Sequence, residues 1–114
     1  MLNRIFRISK SKDYQHTYKK GLKVPGKYLI AYICANGTNK NRFGIVTSKK
    51  VGNAVKRNKA KRRLRAIARE SQGKLGSGHD IVMIARQSMV GADYNRIEKD
   101  FYTVMKKARL CQKD

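Results

Sequence analysis

The chain has 114 residues, of which 28 are Lys or Arg and only 7 are Asp or Glu, giving a net charge of +21 and a pI near 10.5. Its 40% hydrophobic content suffices for one small core, and no Pro-, Gly- or Ser-rich stretch divides it, so residues 1–114 are read as a single domain. So much positive charge repels itself and calls for an anionic partner. Nucleic acid fits better than a membrane, because there is no apolar run of about 18 residues and no lipidation motif.

The first segment, Met1 to Arg7, is too polar and too short for a secretory signal, which predicts a cytosolic protein. Ser11 is placed to cap a helix over Lys12 to Lys19, with Tyr14 and Tyr18 one turn apart and Gly21 ending it. A brief strand is predicted near Leu22 to Val24, then a longer one over Tyr28 to Cys34, apolar and rich in β-favouring residues. Alternation puts Tyr28, Ile30 and Tyr32 on one face of it and Leu29, Ala31 and Ile33 on the other. Asn36 to Asn41 tolerates positive φ and is predicted to turn the chain back as an antiparallel hairpin into a strand over Arg42 to Ser48.

From Asn53 to about Glu70 the hydrophobic period becomes helical, with Ala60, Leu64, Ile67 and Ala68 on one face. Gly73, Gly76 and Gly78 break the chain before Asp80 to Ala85, a continuous apolar run that reads as a central strand. Asp93 is placed to cap a last helix whose core face is Ile97, Phe101, Val104, Met105 and Ala108. Cys34 and Cys111 belong to no CxxC or Cys/His cluster, so they read as reduced thiols, Cys34 buried, and no zinc site is indicated.

Between Lys49 and Arg69, 10 of 21 residues are Lys or Arg and none is acidic. An ordinary solvated helix mixes signs, whereas here like charges at i, i+4 oppose each other by about 0.2–0.5 kcal/mol per pair. The pattern is that of a helix packing by one stripe and meeting phosphates with the rest: Arg57, Lys61 and Arg65 form one ridge, and Asn58, Arg62 and Arg69 the next. Tyr14, Tyr18, Tyr28, Tyr32 and Phe43 lie in the first part of the chain, where exposed rings can stack on unpaired bases. Single-stranded RNA is thus favoured over duplex DNA, for which there is no helix-turn-helix or dimer heptad.

The run from Ser48 to Arg65 closely resembles the signature segment of the bacterial ribonuclease P protein subunit, with Arg57-Asn58-Lys59 standing where the family has Arg-Asn-Arg. Charge is kept at Lys59, and guanidinium geometry is not. Ser11 to Tyr18 resembles the family's first helix and Asp80 to Arg86 its final strand, so the likeness spans essentially the whole chain. It implies an α+β, two-layer sandwich in the order α-β-β-β-α-β-α, with a four-stranded mixed sheet and a left-handed β-α-β crossover, like a ribosomal-protein domain.

The resemblance further implies that Lys49, Lys50, Asn53, Arg57, Asn58, Lys59, Arg62 and Arg69 meet the catalytic RNA, and that Gly52 lets the chain turn into the helix. Tyr14, Tyr18, Tyr32, Lys61 and Arg65 would line the cleft for the single-stranded 5′ leader of precursor tRNA. Phosphodiester hydrolysis would be performed by the RNA with Mg²⁺ held mainly by that RNA, and the protein would carry no catalytic residue. The 7 acids are scattered, which does not suit a metal-dependent nuclease. His16 and His79 read as two unrelated surface residues rather than an acid–base pair. A structural ribosomal RNA-binding protein shares the same charge and fold and is the alternative.

Overall fold

The computed structural model describes residues 6–110. Its elements are α1 (Ser11–Lys20), β1 (Leu22–Pro25), β2 (Leu29–Ala35), β3 (Arg42–Val46), α2 (Ala54–Ser71), β4 (His79–Ala85) and α3 (Tyr94–Lys107). Short 3-10 turns at Lys49–Val51 and Gln87–Met89 precede α2 and α3. The order of helices and strands is the one expected, and the strands make one mixed sheet, β1-β2-β4-β3. The readings at Met1 to Ile5 and at Cys111 lie outside the described residues.

The expected hairpin between β2 and β3 does not form. β4 lies between them, antiparallel to β2 from Leu29↔Ala85 to Ala35↔His79 and parallel to β3 from Arg42↔Asp80 to Val46↔Ile84. Gly37 does take a positive φ of 73°, but a loop that reverses the chain need not return it to the neighbouring position. The apolar run of β4 takes the central place because it can be covered on both faces; Ile81, Val82 and Met83 are all fully buried. The polar stretch from Asn36 to Asn41 steps over it. β3 is the edge, partly shielded by the chain before α1, where the Ile8 N–H donates to the Phe43 carbonyl at 2.9 Å.

Alternation gives the sheet two unlike faces. Leu29, Ala31, Ile33, Phe43, Ile81, Met83 and Ala85 project to one side and meet Ala60, Leu64, Ile67 and Ala68 of α2 and Ile97, Phe101, Val104 and Met105 of α3. Each large side chain so buried contributes about 1.5–3 kcal/mol, which makes this the main core. The opposite face carries Ile30, Tyr32, Cys34, Gly44 and Val82, and α1 lies across part of it against β2 and β4.

Four local readings change with the fold. Ser11 is already inside α1; Lys10 holds the extended N-cap position, with no side-chain cap hydrogen bond, because a cap needs its oxygen one residue earlier. Tyr28 precedes β2, is buried in the main core and gives its N–H to Asp100 Oδ2 at 2.8 Å, so it does not share an open face with Tyr32. Phe43 is likewise buried in that core, 2% exposed, and Cys34, on the α1 side, is half-buried rather than buried. Asp93 caps α3 as expected, accepting from the Arg96 N–H at 2.9 Å, and Asn53 caps α2, accepting from the Lys56 N–H at 3.0 Å.

Candidate nucleic-acid interface

The start of α2 is built by a short sequence of constraints. Ser48 Oγ accepts from the Lys50 N–H at 3.3 Å, opening the 3-10 turn that exposes Lys49 and Lys50. Gly52 then takes φ +137°, a conformation that a side chain disfavours, and a Cβ there would lie 2.7 Å from the Lys56 side chain. Arg57 reaches back to give Nη1–H to the Gly52 carbonyl at 2.7 Å, so one arm of its guanidinium braces the turn and its other donors are uncommitted among the described residues. The cap on Asn53 uses its side-chain oxygen and leaves its amide N–H groups free for a ligand.

Beyond this corner the predicted cations fall in a strip. Asn58, Lys59, Arg62 and Arg69 are exposed, and Arg57, Lys61 and Arg65 are half-buried along the edge nearer the sheet. At about 1.5 Å per residue, Arg69 stands about 18 Å along the axis from Arg57, so the residues form a track rather than a pocket. The partial positive charge of a helix N-terminus lies at the same end as Lys49, Lys50 and Asn53. Arg63 departs from this pattern: its Nη1–H donates to the Ala92 carbonyl at 2.6 Å, fastening α2 to the loop before α3.

On the other face of the sheet, α1 and β3 enclose an open cleft of about 490 Å³ lined by Ser9, Ser11, Tyr14, Tyr18, Ile45, Val46, Thr47 and Lys61. Because β3 is the edge strand and α2 packs beside it, Lys61 reaches the same cleft as the two tyrosines. Tyr18 meets Tyr32 edge to face, ring centroids 5.1 Å apart. Burial raises the Tyr14 hydroxyl above its ordinary value, outweighing a hydrogen bond with the Ile45 backbone and the charge of Arg65, both of which favour the ionised form. Burial also raises Tyr18, with Tyr14 and Tyr32 adding to the effect. Both are therefore neutral phenols at neutral pH, able to donate as well as to stack. Of the five predicted cleft residues, Tyr14, Tyr18 and Lys61 line the cleft, while Tyr32 adjoins it through Tyr18 and Arg65 through its charge on Tyr14.

Two residues absent from the sequence reading shape this cleft. Gly44 lets the Tyr14 ring lie on the sheet, since a Cβ there would be 2.6 Å from the ring; the signal was a glycine inside an apolar strand. Arg42 holds α1 in place, pairing Nε and Nη2 with Asp80 at 2.9 and 2.7 Å and reaching Asp13 of α1 at 3.5 Å. Asp80, 6% exposed, is thus an ion-pair anchor as well as a strand residue. The hydrogen bond to Asp80 is the main cause that raises the Arg42 pKa. Thr47 Oγ1 is shielded on the cleft wall and has no hydrogen-bond partner among the described residues. His16 is exposed on α1, and half-buried His79 gives its N–H to Asn41 Oδ1 at 2.9 Å.

The family described as Ribonuclease P matches residues 2–109. The chain is 44% identical over 110 residues to the ribonuclease P protein component of Syntrophomonas wolfei, covering 96% of this chain and 92% of that one. It is 41% identical over 105 residues to that of Clostridium botulinum strain 657, covering 91% and 95%. The RNase P protein of Staphylococcus aureus superposes with a TM-score of 0.85 at 36% identity, over 94% of this chain and 98% of that chain. That of Thermotoga maritima gives 0.82 at 30%, over 89% and 96%. With its fold, its basic helix and nearly its full length matched in this way, the chain belongs to the ribonuclease P protein family.

Proposed function

We propose that this chain binds the catalytic RNA of ribonuclease P along α2 and holds the single-stranded 5′ leader of precursor tRNA in the cleft between α1 and the sheet. It thereby assists endonucleolytic release of the mature tRNA 5′ end. The observation that carries this reading is the pair of chemically different surfaces meeting along the Lys61–Arg65 ridge: an acid-free cationic track on one side, and a tyrosine-walled cleft on the other. Lys49, Lys50, Asn53, Arg57, Asn58, Lys59, Arg62 and Arg69 serve the first, through phosphates and counterion release. Tyr14, Tyr18, Tyr32, Lys61 and Arg65 serve the second, stacking unpaired bases and neutralising the backbone that threads past them.

Hydrolysis belongs, on this reading, to the RNA and the Mg²⁺ that it holds. Asp13 and Asp80 both pair with Arg42, and among the described residues no group of three His, Cys, Asp or Glu is arranged to hold a metal ion. No helix among the described residues is long and apolar enough to cross a membrane. Reconstitution tests the proposal. Protein alone should leave precursor tRNA intact, and addition to the cognate RNA at low Mg²⁺ should restore cleavage. Tyr18→Ala and Tyr32→Ala should narrow the preference for precursor over mature tRNA while leaving affinity for the catalytic RNA unchanged. Cleavage by the protein unaided, or no stimulation of the RNA, would refute it. A structural ribosomal protein would instead co-sediment stoichiometrically with a ribosomal subunit.

A further inference from the structure

Beside the first half of α2 lies a second hollow, about 170 Å³ in volume, that none of the contacts above requires. Its apolar wall is Ala60 of α2 with Met89, Val90 and Gly91 of the turn before α3. Ala60 and Met89 are buried, at 5% and 2% exposed, whereas Val90 is left 39% exposed. Lys56, Lys59 and Arg63 complete the lining, and such side chains lay their methylene stems on apolar surface while the charge stays at the rim. The hydrogen bond from Arg63 to the Ala92 carbonyl ties the helix to the loop, so the two walls are held at a set spacing.

The chemistry of the lining selects its occupant. The charged residues in it are three cations, and no acid is among them. A lone phosphate would satisfy the cations and leave the apolar floor wet; an aliphatic side chain would cover the floor and bring nothing to the cations. An unpaired nucleotide does both, with an uncharged ring that leaves water favourably and a phosphate on either side of it. The volume is below the roughly 300 Å³ at which pockets for whole small-molecule ligands begin, which suits one ring system without its sugar.

We propose that this hollow receives a single unstacked base of the RNA bound along α2, the base resting on Ala60, Met89 and Val90 while its flanking phosphates meet Lys56 and Lys59. The proposal rests on the reading of α2 as the catalytic-RNA surface. It adds a site of apolar contact to a surface otherwise made of charges, and so a part of the affinity that salt does not screen.

That property is its test. Affinity for the catalytic RNA is measured across a salt series for the wild type, Val90→Asn, Ala60→Met and, as a reference, Arg62→Ala. Val90→Asn wets the apolar lip at an exposed position and should weaken binding about tenfold, the loss expected for an apolar contact of this size, with the salt slope unchanged. Ala60→Met fills the floor and should do the same, thermal melting showing whether it folds; Val90→Asn decides the matter if it does not. Arg62→Ala should flatten the slope by about one. Wild-type affinity in Val90→Asn, or a loss that comes with a flattened slope, overturns the base-binding hollow and leaves the α2 reading standing. Failure of the wild type to bind the RNA overturns both.

Discussion

Arg57 and Arg62 are about 1.4 turns apart on the same helix and carry the same charge, yet the structure gives them different work. Arg62 is exposed and makes no hydrogen bond or ion pair with a described residue, so its guanidinium is available to phosphate. Arg57 spends one donor on the Gly52 carbonyl and thereby sets the direction in which Lys49, Lys50 and Asn53 are presented. Arg62→Ala should therefore lower affinity for the catalytic RNA by one phosphate contact. Arg57→Ala should lower it further and also lower the melting temperature, and Arg57→Lys should recover the charge without the brace. RNA titrations alongside thermal melts check this; equal effects on both measurements would show that the brace is idle.

At the scale of elements, the placement of α1 decides whether the tyrosines form a cleft. Two features hold it: Gly44, which admits the Tyr14 ring to the sheet, and the Asp13–Arg42–Asp80 ion pairs at the helix's first turn. Adding a methyl group at Gly44 should push the ring off the sheet, at about 1–3 kcal/mol of stability, and narrow precursor discrimination without changing affinity for the catalytic RNA. In a Tyr14→Ala background the same Gly44→Ala change should cost little, because the ring it displaces is gone. A double-mutant cycle in denaturant and in precursor binding measures the coupling; additive effects would place the strain elsewhere.

For the molecule as a whole, a charge of +21 over a chain of 114 residues is the dominant fact. Among the described residues the ion pairs use Asp13, Asp80 and Asp93, acids already counted in that net charge, so they offset none of it. Polyvalent anions that gather on the cationic track bind the folded form better than the unfolded one and should stabilise it by mass action. At about 100 times their dissociation constant this is worth about 2.7 kcal/mol, on the order of 10 °C in melting temperature. Phosphate or sulfate should raise the melting temperature saturably, and chloride at matched ionic strength should raise it much less. Identical curves would reduce the effect to general screening.

Much of this was legible in the residues themselves, where a local rule sufficed. Helical period marked the buried stripes of α2 and α3, Asp93 announced the cap of α3, and unmixed positive charge announced an anionic partner. These depend on neighbours within a turn or two, or on a sum over the chain. What needed the tertiary structure depends on contacts across long separations. Pairing of β3 with β4 rather than β2 is a competition between strands for the centre of the sheet, which a turn cannot settle. Tyr28 and Tyr32 look alike in sequence, and only packing puts one in the core and the other beside Tyr18. Arg42 and Asp80, 38 positions apart, become partners because β3 and β4 are brought into register, and that register is written in no single stretch of the chain.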